Sequence, residues 1–130
     1  MATPKLGSLL LSSTKPDRLR DWYAAALSPG VERTPGDPSY DVLDFGGFYV
    51  MIDTRDDVGD TNAEPGRVIL NFEVSDAPAV ADRITKQGGN WLAELEQREG
   101  SWFGTAIDPD GNYVQIIEMS DEARAAMEAG

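Results

Sequence analysis

Neither cysteine nor histidine occurs among the 130 residues. The first absence excludes disulfides and thiolate chemistry. The second removes the commonest metal ligand and the commonest general base. No apolar run approaches the roughly 18–20 residues needed to span a bilayer. Leu9-Leu10-Leu11 is too short for the apolar segment of a signal peptide, so a cytoplasmic protein with no membrane partner is expected. No GxGxxG or Walker pattern is present, and Gly46-Gly47 and Gly88-Gly89 read as a turn and a helix stop. Basic residues are scarce: 11 Lys and Arg stand against 23 Asp and Glu, for a formal net charge of −12. Such a surface disfavours nucleic acid. It favours a cationic small molecule, or it serves only to keep the protein soluble.

What is present is a hydrophobic fraction of 41%, in a length that suits one domain with a real core. Residues 6–13 read as a strand. A helix follows from Pro16, whose fixed φ suits a first helical position. Leu19, Trp22, Tyr23 and Ala26 fall on one face of it. Ser28-Pro29-Gly30 ends the helix, and strands are expected over 31–34, 40–45 and 48–53, with turns at Gly36-Asp37-Pro38 and Gly46-Gly47. Residues 54–66 carry no hydrophobic period. The pattern then recurs: a strand over 68–74, a helix opened by Asp76-Ala77-Pro78, and strands over 90–95, 102–107 and 113–119. Ser120 and two acidic residues open a short last helix.

Leu9 aligns with Leu70, Leu11 with Phe72, Thr14 with Ser75 and Leu19 with Val80. With a slightly longer offset, Gly47 aligns with Gly111, Tyr49 with Tyr113 and Val50 with Val114. Both matches, in order, indicate a duplicated βαβββ unit whose second copy carries roughly three extra residues around its second and third strands. The fold class is therefore α+β. One module spans about 5–54, a linker 55–66, a second module 67–119 and a terminal helix 120–129, within a single domain of 1–130. A four-stranded unit covers one sheet face with its helix and leaves the other bare, so two units are expected to curl their sheets around a shared cleft.

Asp108-Pro109-Asp110-Gly111 is a strong turn signal ahead of the last strand. Together with Leu19-Arg20-Asp21-Trp22-Tyr23 and Asn71-Phe72-Glu73-Val74-Ser75-Asp76, it resembles the vicinal-oxygen-chelate superfamily. That superfamily includes glyoxalase I, extradiol dioxygenases, fosfomycin-thiol transferases and bleomycin-resistance proteins. The resemblance covers nearly the whole chain and implies the paired-module fold and a homodimer. In the metalloenzymes, each module supplies ligands from its first and last strands. Those positions here are Ser8, Met51, Ile69 and Gln115. A hydroxyl, a thioether, an alkyl group and a neutral amide do not suit a transition metal, so no metal and no cofactor are expected.

Strand alternation sorts the remaining candidates. Ser8, Leu10 and Ser12 should face the cleft from the first module, and Ile69, Asn71 and Glu73 from the second. On the last strands the resemblance, by setting Gln115 at a ligand position, implies that Tyr113, Gln115 and Ile117 face it too, with Tyr49, Met51 and Asp53 as their counterparts in the first module. Trp91, Trp102 and Phe103 are either a stacking wall or ordinary core. Asp53, Asp56, Asp57, Asp60 and Glu64, opposed by Arg55 alone, form an acidic strip near the linker. Glu73 is a cation's partner, a general base or a solvated charge. The composition and the absent metal ligands most resemble the bleomycin-resistance type. A protein that sequesters a small, cationic or planar organic molecule is therefore the first expectation. A metal-independent isomerase or lyase using Glu73 is the alternative.

Overall fold

The computed structural model describes residues 3–36 and 39–129. Asp37 and Pro38 of the expected turn lie outside them. The chain divides into two compact units, 1–60 and 61–130, and the division falls inside the expected linker.

In the first unit, β1 (Ser8–Ser13), α1 (Pro16–Leu27), β2 (Gly30–Arg33), β3 (Asp41–Asp44) and β4 (Tyr49–Thr54) form a mixed sheet of order β1-β4-β3-β2. Helix α1 begins at Pro16 and ends where Ser28 turns left-handed, with its N–H donating to the Ala24 carbonyl at 3.1 Å. The predicted stripe is the buried one: Leu19, Trp22, Tyr23 and Ala26 all pack inward, and Trp22 meets Tyr23 edge-on at 4.9 Å. Leu43, Val50 and Ile52 from the sheet complete this core.

The second unit repeats the plan. Strands β5 (Leu70–Glu73), β6 (Asn90–Arg98), β7 (Ser101–Ile107) and β8 (Tyr113–Glu118) take the order β5-β8-β7-β6, with α2 (Ala77–Lys86) after β5 and α3 (Asp121–Ala129) last. Asp76 caps α2 by accepting the Ala79 N–H at 3.1 Å. Ala77, Val80 and Ile84 are buried against Ala106, Val114 and Ile116.

The strand registers confirm the duplication. Leu9 pairs with Val50 in one parallel ladder, and their aligned counterparts Leu70 and Val114 pair in the other. Three strand bounds differ from expectation by two or three residues, and the others by no more than one. Strands β1 and β5 start later than 6 and 68, because each is an edge strand and runs only as far as its single neighbour pairs with it. Strand β6 runs on to Arg98, because Glu99 and Gly100, with φ of 52° and 83°, close a two-residue hairpin onto β7. The extra length of the second copy thus lies in this hairpin.

The linker is ordered at both ends. The Thr14 hydroxyl donates to Asp60 at 2.6 Å. This bond, then the charge of Lys15, holds the Asp60 carboxyl below its ordinary value of 3.8. A lowered folded-state pKa stabilises above the ordinary value, and that contribution is lost as pH falls through the lowered one. Thr14→Val should therefore lower the melting midpoint at pH 7 and make no difference near pH 2. A gap that stays constant across that range would refute the assignment.

Candidate functional site

In each unit the helix covers one sheet face and the other stays open. Alternation assigns the open face of the first sheet to Ser8, Leu10 and Ser12 on β1, with Tyr49, Met51 and Asp53 on β4. Cross-strand pairs Ser8–Tyr49, Leu10–Met51 and Ser12–Asp53 bring them together. Leu10 and Tyr49 remain 50% and 42% exposed. On the second sheet the open face carries Asn71 beside Gln115 and Thr105, and Glu73 beside Ile117 and Phe103. Tyr113 pairs with Ile107 on this face, and Ile69 lies just ahead of β5, 41% exposed.

Two expected residues fall elsewhere. Trp102 pairs with Glu118, whose carboxylate accepts the Ala77 N–H of α2 at 2.7 Å, so both belong to the helix-covered face. Trp91 points the same way, and its indole N–H donates to the Thr85 hydroxyl of α2 at 3.3 Å. Of the expected aromatic wall only Phe103 is on the open face, and its ring already carries the Arg98 guanidinium at 5.5 Å. The bulges at Trp91–Ala93 and Ala93–Glu96 disturb β6 only beyond Trp91, and the β7–β8 ladder is unbroken, so alternation from the buried Ala106 sets Trp102 on the helix side.

Glu73 is not a bare charge. Arg124 of α3 lies 3.3 Å from it, both side chains being partly exposed. Nor is the acidic strip opposed by Arg55 alone. Arg55 makes a two-point pair with Asp57, its Nε–H donating at 2.7 Å, and this pairing holds the Asp57 carboxyl below its usual range. Asp60 has Thr14, Lys15 and Arg18. Glu64, in the second unit, pairs with Arg67 at 3.2 Å.

Asp53 is different. Its Oδ1 is buried and accepts no hydrogen bond among the described residues. It lines a recess of about 570 Å³ in the first unit, with Ser39 and Tyr40 on one side and the segment Asp53–Asp57 on the other. With Arg55 engaged by Asp57, the Asp53 and Asp56 carboxylates give this recess a negative balance. Ser39 and Tyr40 were not among the expected residues. They precede β3, although the expected strand began at residue 40, and continuing the antiparallel β3–β4 register brings Tyr40 opposite Asp53.

The positions that bear metal ligands in the superfamily's metalloenzymes hold Ser8 and Met51 in one unit, and Ile69 and Gln115 in the other. These side chains do not fit a transition metal, and no group of three Asp or Glu is gathered for one among the described residues.

A comparison with curated protein sequences finds no match. Among solved structures, the chain is similar to a glyoxylase/bleomycin resistance protein/dioxygenase domain from Frankia sp. EAN1pec, with a TM-score of 0.71, 19% identity, and 90% of this chain and 98% of that one covered. It is also similar to TioX from Micromonospora sp. ML1, at 0.68 and 21% identity over 88% and 98% of the two chains. A mutant glyoxalase I from Zea mays matches at 0.69 and 18% identity, over 88% of this chain and 44% of that longer one. These likenesses show the fold. A family model, described as a glyoxalase-like domain, matches residues 8–117. With that match over most of its length, the chain belongs to the glyoxalase-like domain family of the vicinal-oxygen-chelate superfamily.

Proposed function

We propose that this glyoxalase-like protein binds a small organic cation with a planar group and holds it without altering it. The observation that carries the reading is the acidic recess itself, where Asp53 and Asp56 stand at the wall and Arg55 is engaged by Asp57. A carboxylate at such a wall is best matched by an N–H on a cation, the strongest donor to it. Tyr40 lines the same recess, and a cation over an aromatic face adds ~0.5–2 kcal/mol. The net charge of −12 attracts cations from a distance. That part weakens with salt, as the screening length falls to ~3 Å at 1 M.

Titration calorimetry with ethidium, and with fluorescein as a planar anion, tests this. Ethidium should bind saturably, more weakly in 1 M salt, and about tenfold more weakly to Asp53→Asn, the loss of one charge-assisted contact. Fluorescein binding without ethidium binding would refute the charge argument. Mass spectrometry of a cation recovered from the protein should find it unchanged. A chemically altered one would make the protein an enzyme.

A further inference from the structure

We infer that the second unit holds a separate site for an amphipathic organic cation, beside the first turn of α3, and that Arg124 holds the Glu73 carboxylate at its edge as a built-in competitor. Cross-strand register sets Glu73, Ile117, Phe103 and Glu96 in one row across the open face of the second sheet. Helix α3 leaves that sheet through Met119 and Ser120. Its first turn is fastened: the Ser120 N–H donates to the Ser101 hydroxyl at 2.9 Å, and Ser120 caps the Ala123 N–H at 3.0 Å. Past that turn the helix is loosely held. From Arg124 to Glu128 every side chain is exposed, with Met127 at 69%. The Arg124–Glu73 pair is an exposed ion pair of the kind that contributes little on its own.

Close beside the first turn is a recess of about 630 Å³, lined by Phe103, Met119 and Ala123, with Arg98, Glu99 and Ser101 at its polar side. A helix serving only as a structural cap would fill that space with side chains. Here the space is open, apolar on one side, and Phe103 lies in the same cross-strand row as the Glu73 carboxylate. That combination suits a molecule with an apolar body and a cationic head. The body would lie against Phe103 and Met119, and the head would replace the Arg124 guanidinium on Glu73. Arg124 then sets a threshold: a cation enters only by lifting the latch that α3 makes with β5.

The test is ethidium binding followed by fluorescence in the Asp53→Asn background, so that the first-unit recess contributes little. Arg124→Ala should tighten binding about two- to fivefold, the range an exposed ion pair of this kind allows. Lys86→Ala, which removes the same charge from an exposed pair on α2, should not. Adding Glu73→Gln to Arg124→Ala should abolish the gain. Amide exchange in α3, measured without ligand, should quicken alike in Arg124→Ala and Glu73→Gln, and no further in the double variant. Equal tightening by Lys86→Ala, weaker binding in Arg124→Ala, or unchanged exchange in α3 would each overturn the inference. If ethidium binds the wild type but no variant made in the Asp53→Asn background, this inference fails and the first-unit reading stands. If nothing binds anywhere, both fail.

Discussion

Leu19→Ala is expected to destabilise the first unit by about 3–4 kcal/mol, near the upper part of the range for a fully buried leucine. Leu19 is 0% exposed and lies at the start of the stripe that continues through Trp22, Tyr23 and Ala26. The cost is large against the small stability of a unit this size. Urea unfolding should show an early transition for Leu19→Ala, while Met127→Ala, on the exposed side of α3, should leave the midpoint within experimental error. The effect should reach the recess as well. Asp53 sits on β4 next to Ile52, which belongs to the same core, so ethidium affinity should fall as the first unit loosens. A loss below about 1 kcal/mol would mean that the stripe is not the core of the unit.

Asp108→Ala is expected to cost about 3 kcal/mol, and through the backbone instead of the core. The Asp108 side chain is 3% exposed. Its Oδ1 accepts the N–H groups of Asp110 and Asn112, each at 2.9 Å, and its Oδ2 accepts the Asn112 side-chain amide at 2.9 Å. Alanine leaves these donors unmatched in a turn that is buried at Asp110 and half-buried at Asn112, which costs more than the bonds contribute on balance. Asp108→Asn should fall between alanine and the wild type. It keeps an oxygen for the two backbone donors but turns its amide NH2, a donor, toward the Asn112 side-chain NH2. The turn also holds the linker, since the Asn62 N–H donates to the Asp110 carbonyl at 2.8 Å and its amide to the Asn112 side chain at 2.9 Å. Amide exchange at Asp110, Asn112 and Asn62 should therefore rise together in Asp108→Ala, along with the fall in thermal midpoint. Fast exchange at Asp110 alone would show that the linker is held by something else.

The repeated unit was legible in the chain because its signals are local. Pro16 and Asp76 mark helix starts, Gly88-Gly89 marks a stop, and Asp108-Pro109-Asp110-Gly111 marks a turn. The stripe from Leu19 to Ala26 needs only the helical period to be read as buried. The open-face parity of β1 and β5 was readable from alternation, while the side taken for β4 and β8 came from the resemblance. Trp91 and Trp102 were placed by their segment and not by parity, and both pass to the side of α2.

Composition and spacing by themselves determined the α+β class, the duplicated module and the buried helix stripes. Each follows from residue type and period, which act over a few positions. The tertiary structure decided which charges are free. Arg124 reaches Glu73, Arg55 turns onto Asp57, and Asp53 keeps a buried oxygen without a partner beside Ser39 and Tyr40. Those pairings join residues far apart in the chain or select one neighbour among several. Coulomb attraction depends on distance in space, and neither period nor composition carries that distance.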